Sequence, residues 1–234
     1  MSDFLDTAQA HPEICSVFAQ DDGASMIQTL LLYAPDAFID YDAAQASFDS
    51  PEFLRLLELA KRQTQPEAES PREALLTGQT LLEQLMFGRA QEFEAEYADG
   101  LNELSFPGFP GAGRASFYLT LPMAIPVNAQ EKEGAWAFLK LLITEPLYAA
   151  RSRGGWLPLQ SDFEKKTAAM TDTDAQQLLR ELQTEAVSVF EYDAAVSGIL
   201  ADELPYYFAE EQSAGQIADR IQRRVQLYLE ETRR

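Results

Sequence analysis

The sequence predicts a helix-rich α/β protein, and three observations indicate this class. Apolar residues recur at helical spacing through most of the 234 residues. Several of these stretches follow a residue suited to cap a helix, as at Ser50 and Ser213. A short segment with strand composition, residues 117–121, interrupts them. A hydrophobic content of 46% and a charged content of 24% are typical of a chain that buries a core.

Three helices are predicted in the first 62 residues. Residues 4–32 contain two helices around Asp21-Asp22-Gly23, where two short polar side chains and a glycine favour a turn. The third helix begins at Ser50-Pro51, because serine is a good N-cap and proline suits the first helical position. Its apolar stripe is Phe53, Leu56, Leu57 and Ala60. Lys61-Arg62 end it, where basic residues complement the helix dipole.

Residues 63–127 have weaker signals. Residues 63–72 are polar with two prolines and are predicted to form a loop. Residues 74–87 fit two alternatives, either one continuous helix or a glycine turn that leads into a short strand. An aromatic-Pro-Gly unit is repeated at 106–111 and is typical of type II turns. Residues 117–121 are predicted to form an edge strand or a crossing connection, because prolines follow them.

The rest of the chain is predicted to be mostly helical. Asn128-Ala129-Gln130-Glu131 has capping-box spacing directly before an apolar stretch. A further helix begins at Thr144-Glu145-Pro146 and stops at Gly154-Gly155. After Ser161 the pattern stays helical, with breaks expected near 171–174 and at Pro205. Ser213 caps the last helix, which carries Ile217, Ile221, Val225 and Tyr228 on one side.

Charge and residue usage exclude several function classes. The chain has 18 basic and 38 acidic residues, a net charge of −20, which repels nucleic acid and anionic membranes. Residues 1–110 hold 5 of the basic and 20 of the acidic residues, as expected for a solvated surface. With Cys15 and His11 the single residues of their kinds, we expect no disulfide, no metal site and no Ser-His-Asp mechanism. No cofactor is predicted.

Targeting signals are not visible in the sequence. No apolar run approaches the roughly 20 residues that span a bilayer. The first residues lack the basic and apolar regions of a signal peptide.

Several segments resemble a known family by their order along the chain. They are Phe38-Ile39-Asp40, the stretch from Phe48 to Phe53 with its leucine-rich helix, Thr77-Gly78-Gln79, Phe106-Pro107-Gly108, Ala124-Ile125 before residues 131–139, Gly154-Gly155-Trp156-Leu157-Pro158, and the helix from Ser213 to Leu229. In this order, from about Phe4 to Leu229, they resemble the C-terminal portion of family 1 extracellular solute-binding proteins. These proteins are the sugar-capturing components of bacterial ABC importers.

The resemblance implies a periplasmic-binding-protein-like (type II) fold, in which two α/β lobes hold the ligand in the cleft between them. Residues 1–116 are then the first part of the C-terminal lobe, and residues 117–155 are a crossover and a remnant of the N-terminal lobe. Residues 156–234 are the hinge return and the last helices of the C-terminal lobe. The strands that begin the N-terminal lobe have no counterpart, so the resemblance implies a fragment. It further implies an extracellular lipoprotein or periplasmic protein that binds a sugar and meets the permease subunits of an importer.

A fragment of this kind exposes apolar surface on residues 117–155. We expect this segment either to pack irregularly on the remaining lobe or to swap onto a second copy, forming a dimer.

Six candidate ligand-binding residues follow from family position: Trp156, Asp21, Asp22, Phe87, Tyr192 and Asp193. Sugars are bound by aromatic faces that stack on the ring and by carboxylates that accept from hydroxyls. Trp156 beyond the hinge is the first choice, with core packing in the hinge as its alternative. For Phe87 and Tyr192, core or surface packing is favoured over a ligand contact, because aromatic residues on helices are usually buried for their area alone. The two aspartates of the 21–23 loop are turn formers as well as acceptors.

Two other function classes remain open. A glycoside-processing enzyme needs paired carboxylates, but 38 acidic residues bring some pair together by chance, so this pattern has little specificity. A helical module with an acidic face toward a basic partner is suggested by Glu92, Glu94, Glu96, Asp99 and Glu103. Such a face is also typical of solvated helices. Binding without chemistry, and hence a non-enzyme, is the prediction.

Overall fold

The computed structural model describes residues 1–19, 22–85, 87, 89–106, 114–115, 124–142, 160–186 and 193–232. The chain divides into two units. Unit 1 comprises Met1–Gln84, Phe109–Ala112 and Phe190–Arg234, and unit 2 comprises Leu85–Gly108 and Gly113–Val189. The lobe boundaries inferred from the family, at 117 and 156, stay a prediction.

Helices dominate the described part of both units. Unit 1 contains α1 (Ser2–Ala10), β1 (Ser16–Phe18), α2 (Gly23–Tyr33), β2 (Ile39–Asp40), β3 (Gln45–Ala46), α3 (Pro51–Lys61), α4 (Pro71–Leu76), β4 (Thr80–Leu82), α9 (Ala194–Phe208) and α10 (Ala214–Thr232). Unit 2 contains α5 (Ala90–Ala98), α6 (Lys132–Leu142), α7 (Gln160–Ala168) and α8 (Thr173–Glu185). The predicted helix-rich α/β class is thus confirmed in general terms.

The helix starts predicted from capping residues are largely confirmed. The Ser50 hydroxyl accepts from the Phe53 N–H, and Pro51 is the first residue of α3. Ser213 and Gln216 cap α10 reciprocally, since each side chain accepts from the other residue's N–H. The same chemistry begins α4, where Ser70 accepts from the Glu73 N–H ahead of Pro71. The prediction of a loop over residues 63–72 is therefore wrong for its last two residues, which begin α4.

A parallel strand pair was not predicted. β1 lies within the stretch expected to hold two helices only, and it pairs with β4 so that Ser16 is opposite Thr80 and Phe18 opposite Leu82. Of the two alternatives for residues 74–87, the glycine turn followed by a strand is correct. Gly78 has a φ of 72°, in the left-handed region that favours glycine.

The core of unit 1 is built by helix faces around three phenylalanines. The predicted stripe of α3 is fully buried. Phe53 packs edge-on against Phe38 and Phe48, with ring centroids 5.2 and 5.0 Å apart. Helix α9 packs on α2 and α10, and α10 packs on α3. Burial of these apolar faces is the main stabilising term, at about 25 cal/mol per Å² of apolar surface.

Two glutamine side chains of α10 form hydrogen bonds with backbone N–H groups in and just after the short hairpin β2–β3. Ile39 pairs with Ala46 in antiparallel register. The Gln226 side chain accepts from the Ala46 N–H at 3.0 Å, and the Gln222 side chain accepts from the Phe48 N–H at 2.7 Å. These bonds pair backbone N–H groups that strands of only two residues leave without a partner in the sheet.

Two predicted helix boundaries are wrong. Pro205 does not break a helix but lies inside α9, because its neighbours Leu204 and Tyr207 are buried in the core and the proline is near the helix end. Helix α6 begins at Lys132, later than the predicted cap at Asn128 implies. Residues 126–129 form a turn instead, in which the Ala129 N–H donates to the Pro126 carbonyl.

The predicted break near 171–174 is confirmed, since Asp172 caps α8.

Unit 2 has a core of its own among the described residues. Phe93 on α5 is fully buried with Leu101, and Ala175 and Leu182 of α8 pack in the same cluster. Helix α5 contacts both α7 and α8. The expected strand at 117–121, the helix from 144 and most of the Pro-Gly turns lie outside the described residues.

One residue of the predicted acidic face, Glu94, joins α5 to the start of α8. Its Oε1 accepts from the Thr171 N–H, the Thr171 hydroxyl and the Asp172 N–H, at 2.5, 2.8 and 2.7 Å. These bonds, led by that from the Asp172 N–H, lower the pKa of the Glu94 carboxyl. A carboxyl with a lowered pKa stabilises the fold above its ordinary value of about 4.3, and this contribution disappears as pH falls through the folded value.

We therefore expect Glu94→Gln to destabilise the protein at pH 6, and the difference from wild type to shrink as pH falls below about 4. Urea denaturation across this pH range measures it. The control is Glu103→Gln, an exposed carboxyl of the same unit. If the loss of unfolding free energy in Glu94→Gln stays constant down to pH 3, the Glu94 carboxylate does not stabilise the fold through its charge.

Candidate functional site

The two parallel strands of unit 1 define an edge at which two chain segments emerge together. Phe18 and Leu82 are register partners at the carboxyl ends of β1 and β4. The chain leaves β1 through the loop that holds Asp22 and enters α2 at Gly23. Ligands of open α/β sheets bind outside the carboxyl ends of the strands, so this edge is a candidate site.

Asp22 is the N-cap of α2. Its Oδ1 accepts from the Ser25 N–H at 2.8 Å. Hydrogen bonds from Ser25, first the backbone N–H and then the side chain, lower the pKa of the Asp22 carboxyl. The carboxylate is therefore held at the helix N-terminus, where the dipole favours negative charge.

Close packing of Gly23 positions this loop. A Cβ at residue 23 would overlap the carbonyl oxygen of Ala60 and lie 2.5 Å from Cε1 of Phe208. The start of α2 therefore lies directly against the C-terminal turns of α3 and α9. The glycine permits this approach because it has no side chain.

Asp193 lies in a different setting, between two tyrosines. It caps α9 by accepting from the N–H groups of Ala195 and Val196. The Tyr41 hydroxyl donates to its Oδ2 at 3.2 Å. Partial burial, with the nearby Asp193 charge as the next cause, raises the pKa of both Tyr41 and Tyr228.

The sequence does not predict either of the tyrosines beside Asp193, Tyr41 and Tyr228, as a site residue. Tyr41 is between two aspartates in the turn after β2, and Tyr228 is on α10. An aromatic residue flanked by two aspartates is a signal of an exposed ring, and Tyr41 is indeed 43% exposed.

Asp22 and Asp193 do not share one small site. Phe208, which lies beside Gly23, and Ala194, which follows Asp193, are at opposite ends of α9. A helix of 15 residues is about 22 Å long at 1.5 Å per residue. A monosaccharide does not bridge this distance.

Phe87 belongs to unit 2. Its ring packs edge-on against Phe93 with centroids 5.0 Å apart, at the margin of the unit 2 core. Asp21, Trp156 and Tyr192, the other candidates, lie outside the described residues.

Among the described residues, no cluster of three His, Cys, Asp or Glu residues suited to a metal ion occurs. Within the same part of the chain, no helix is long and apolar enough to cross a membrane. One open depression of about 470 Å³ lies along α8 and is lined by polar residues that include Gln176, Gln177 and Arg180.

Comparison of the sequence with protein-family models and with curated proteins finds no match.

Proposed function

We propose that this chain is the carbohydrate-binding component of a bacterial ABC importer, with a type II periplasmic-binding-protein-like fold. In this role it captures a sugar or oligosaccharide outside the cell, as a lipoprotein or periplasmic protein, and delivers it to permease subunits. It performs no chemistry on the sugar.

The observation that carries the proposal is the carboxyl edge of β1 and β4. A parallel strand pair, a loop and a capped helix converge there, and the loop presents the Asp22 carboxylate. A carboxylate has roughly four lone-pair sites, so its capping bonds leave capacity to accept from a sugar hydroxyl. Asp21 and Trp156 are further proposed contacts, by family position.

The division of the chain gives separate support. Unit 1 includes residues before and after unit 2, and also Phe109–Ala112 between the two parts of unit 2, so the chain passes more than once between the units. This connectivity is that expected of two lobes joined by crossovers.

The test is thermal unfolding of the full chain with a panel of mono- and oligosaccharides. A ligand that binds only the folded state raises the melting temperature. We expect at least one sugar to do so, and Asp22→Asn to weaken its binding about tenfold, since a hydrogen bond to a charged acceptor becomes a neutral one. Asparagine is also a good N-cap, so the variant should keep its fold.

Two matched variants locate the site. Asp172→Asn alters the corresponding N-cap in unit 2 and should leave binding unchanged. For a monosaccharide ligand, Asp193→Asn should also leave binding unchanged, because that carboxylate is at the far end of α9. The proposal fails if no sugar in the panel stabilises the protein, or if the sugar is recovered cleaved.

A further inference from the structure

Helix α6 carries large apolar side chains on exposed surface. The side chain of Trp136 is 51% exposed and that of Phe138 is 59% exposed. Helices with apolar residues around most of their circumference normally lie in a protein interior. Exposed apolar surface of this kind marks an interaction site.

One stripe of α6 combines the exposed Trp136 ring with charge. Glu133, Trp136, Ala137 and Lys140 have the spacing i, i+3, i+4, i+7 and therefore share one face of the helix. All four are exposed, whereas on the opposite side Ala135 and Leu139 are half-buried and Phe138 is exposed. The Lys140 ammonium lies 5.2 Å from the centroid of the Trp136 ring, which places the cation beside the aromatic surface.

The stripe is complementary to itself in an antiparallel arrangement. With a two-fold axis between positions 136 and 137, Glu133 of one copy is opposite Lys140 of the second, and the same contact recurs on the other side of the axis. Trp136 of each copy is then opposite the small Ala137. Opposite charges and a large residue facing a small one are what packed helix pairs require.

We propose that this face of α6 is the contact surface of a homodimer, with the second copy antiparallel. The charge distribution favours a second copy as the occupant. Residues 124–142 hold two lysines and two glutamates, in a chain with a net charge of −20, so the copies meet through a segment without net charge. A depression of about 390 Å³ beside Trp136, lined by Ile125, Pro126 and Val127, extends the apolar face.

This dimer joins folded copies by a surface, unlike an exchange of residues 117–155 between copies. It does not depend on sugar binding, so either proposal can fail without the other.

Sedimentation equilibrium of the full chain from about 1 µM to about 1 mM, the range in which small interfaces dissociate, measures the association. We expect a dimer of twice 26.2 kDa that dissociates on dilution. Trp136→Ala should weaken it tenfold or more, as expected of a central tryptophan. Leu227→Ala, which truncates a 56% exposed residue on α10, should leave it unchanged. A single chain's mass at every concentration overturns the proposal.

Charge reversal tests the register. Glu133→Lys and Lys140→Glu should each weaken self-association roughly tenfold, because two like-charge contacts replace two ion pairs. Mixing the two variants should restore association, since each of the two contacts between unlike copies then pairs a lysine with a glutamate. Circular dichroism confirms that each variant is folded. A mixture that associates no better than its components overturns the antiparallel register.

Discussion

Replacement of Arg220 and Arg224 together by methionine is expected to lower the free energy of unfolding by about 3–5 kcal/mol. Glu203 on α9 is 3% exposed. Its two carboxylate oxygens lie 2.8 Å from the Arg220 guanidinium and 2.7 Å from that of Arg224, both on α10. Without them a buried carboxylate has no opposite charge, and burial of an uncompensated charge is strongly unfavourable. Chemical denaturation at pH 7 measures the loss.

A third substitution separates charge from packing. Adding Glu203→Met to the double variant should recover most of the loss, because well-packed apolar residues replace buried ion pairs with little cost. Arg223→Met, an exposed neighbour on the same helix, should change stability by less than about 0.5 kcal/mol. If the triple variant is as unstable as the double, the arginine stems and not the charges stabilise α9 on α10.

Gly23→Ala is expected to destabilise the protein by about 1–3 kcal/mol, because overpacking forces backbone or ring movement. The new methyl group would overlap the Ala60 carbonyl oxygen, a backbone atom with little freedom to move. Moving α2 away from α3 would open the core around the buried Met26 and Ile27. Thermal or urea denaturation measures the effect.

Gly198→Ala is the matched control. This glycine is also helical, inside α9, but a Cβ there meets nothing within 4 Å. Alanine should therefore stabilise the protein by up to about 1 kcal/mol through its helix propensity. Equal effects of the two substitutions would show that the close contact at Gly23 does not determine the stability there.

Local signals explain which elements the sequence could predict. The starts of α3 and α10 and the buried stripe of α3 depend on residues within two turns of each other, so capping chemistry and periodicity suffice. β1 is only three residues long, and Ser16 finds its partner at Thr80. A local sequence pattern does not indicate which distant residues a strand pairs with. Pro205 lies inside α9 for a related reason, because the tertiary packing of this helix overrides a local helix breaker.

Among the candidate residues too, local roles are predictable from the sequence and long-range contacts are not. Asp22 and Asp193 were expected near a ligand by their family positions, and both are helix caps, a role that their short side chains predict. The contacts of Asp193 with Tyr41 and Tyr228 join segments far apart in sequence, which no spacing rule foresees. Trp136 is the reverse case: its apolar helix is typical of a core, yet the side chain is half exposed.

Unit 1 completes its core late in synthesis. Helix α3, whose buried residues include Phe53 and Leu56, packs in the same core against α10, whose buried residues Ile217, Ile221 and Leu229 come after all of unit 2. At about 5–20 residues per second, a ribosome needs on the order of 10–30 s to add the intervening segment. During that interval the part of the α3 face that α10 covers is open to chaperones and to other nascent chains, whereas all of unit 2 is synthesised before α10.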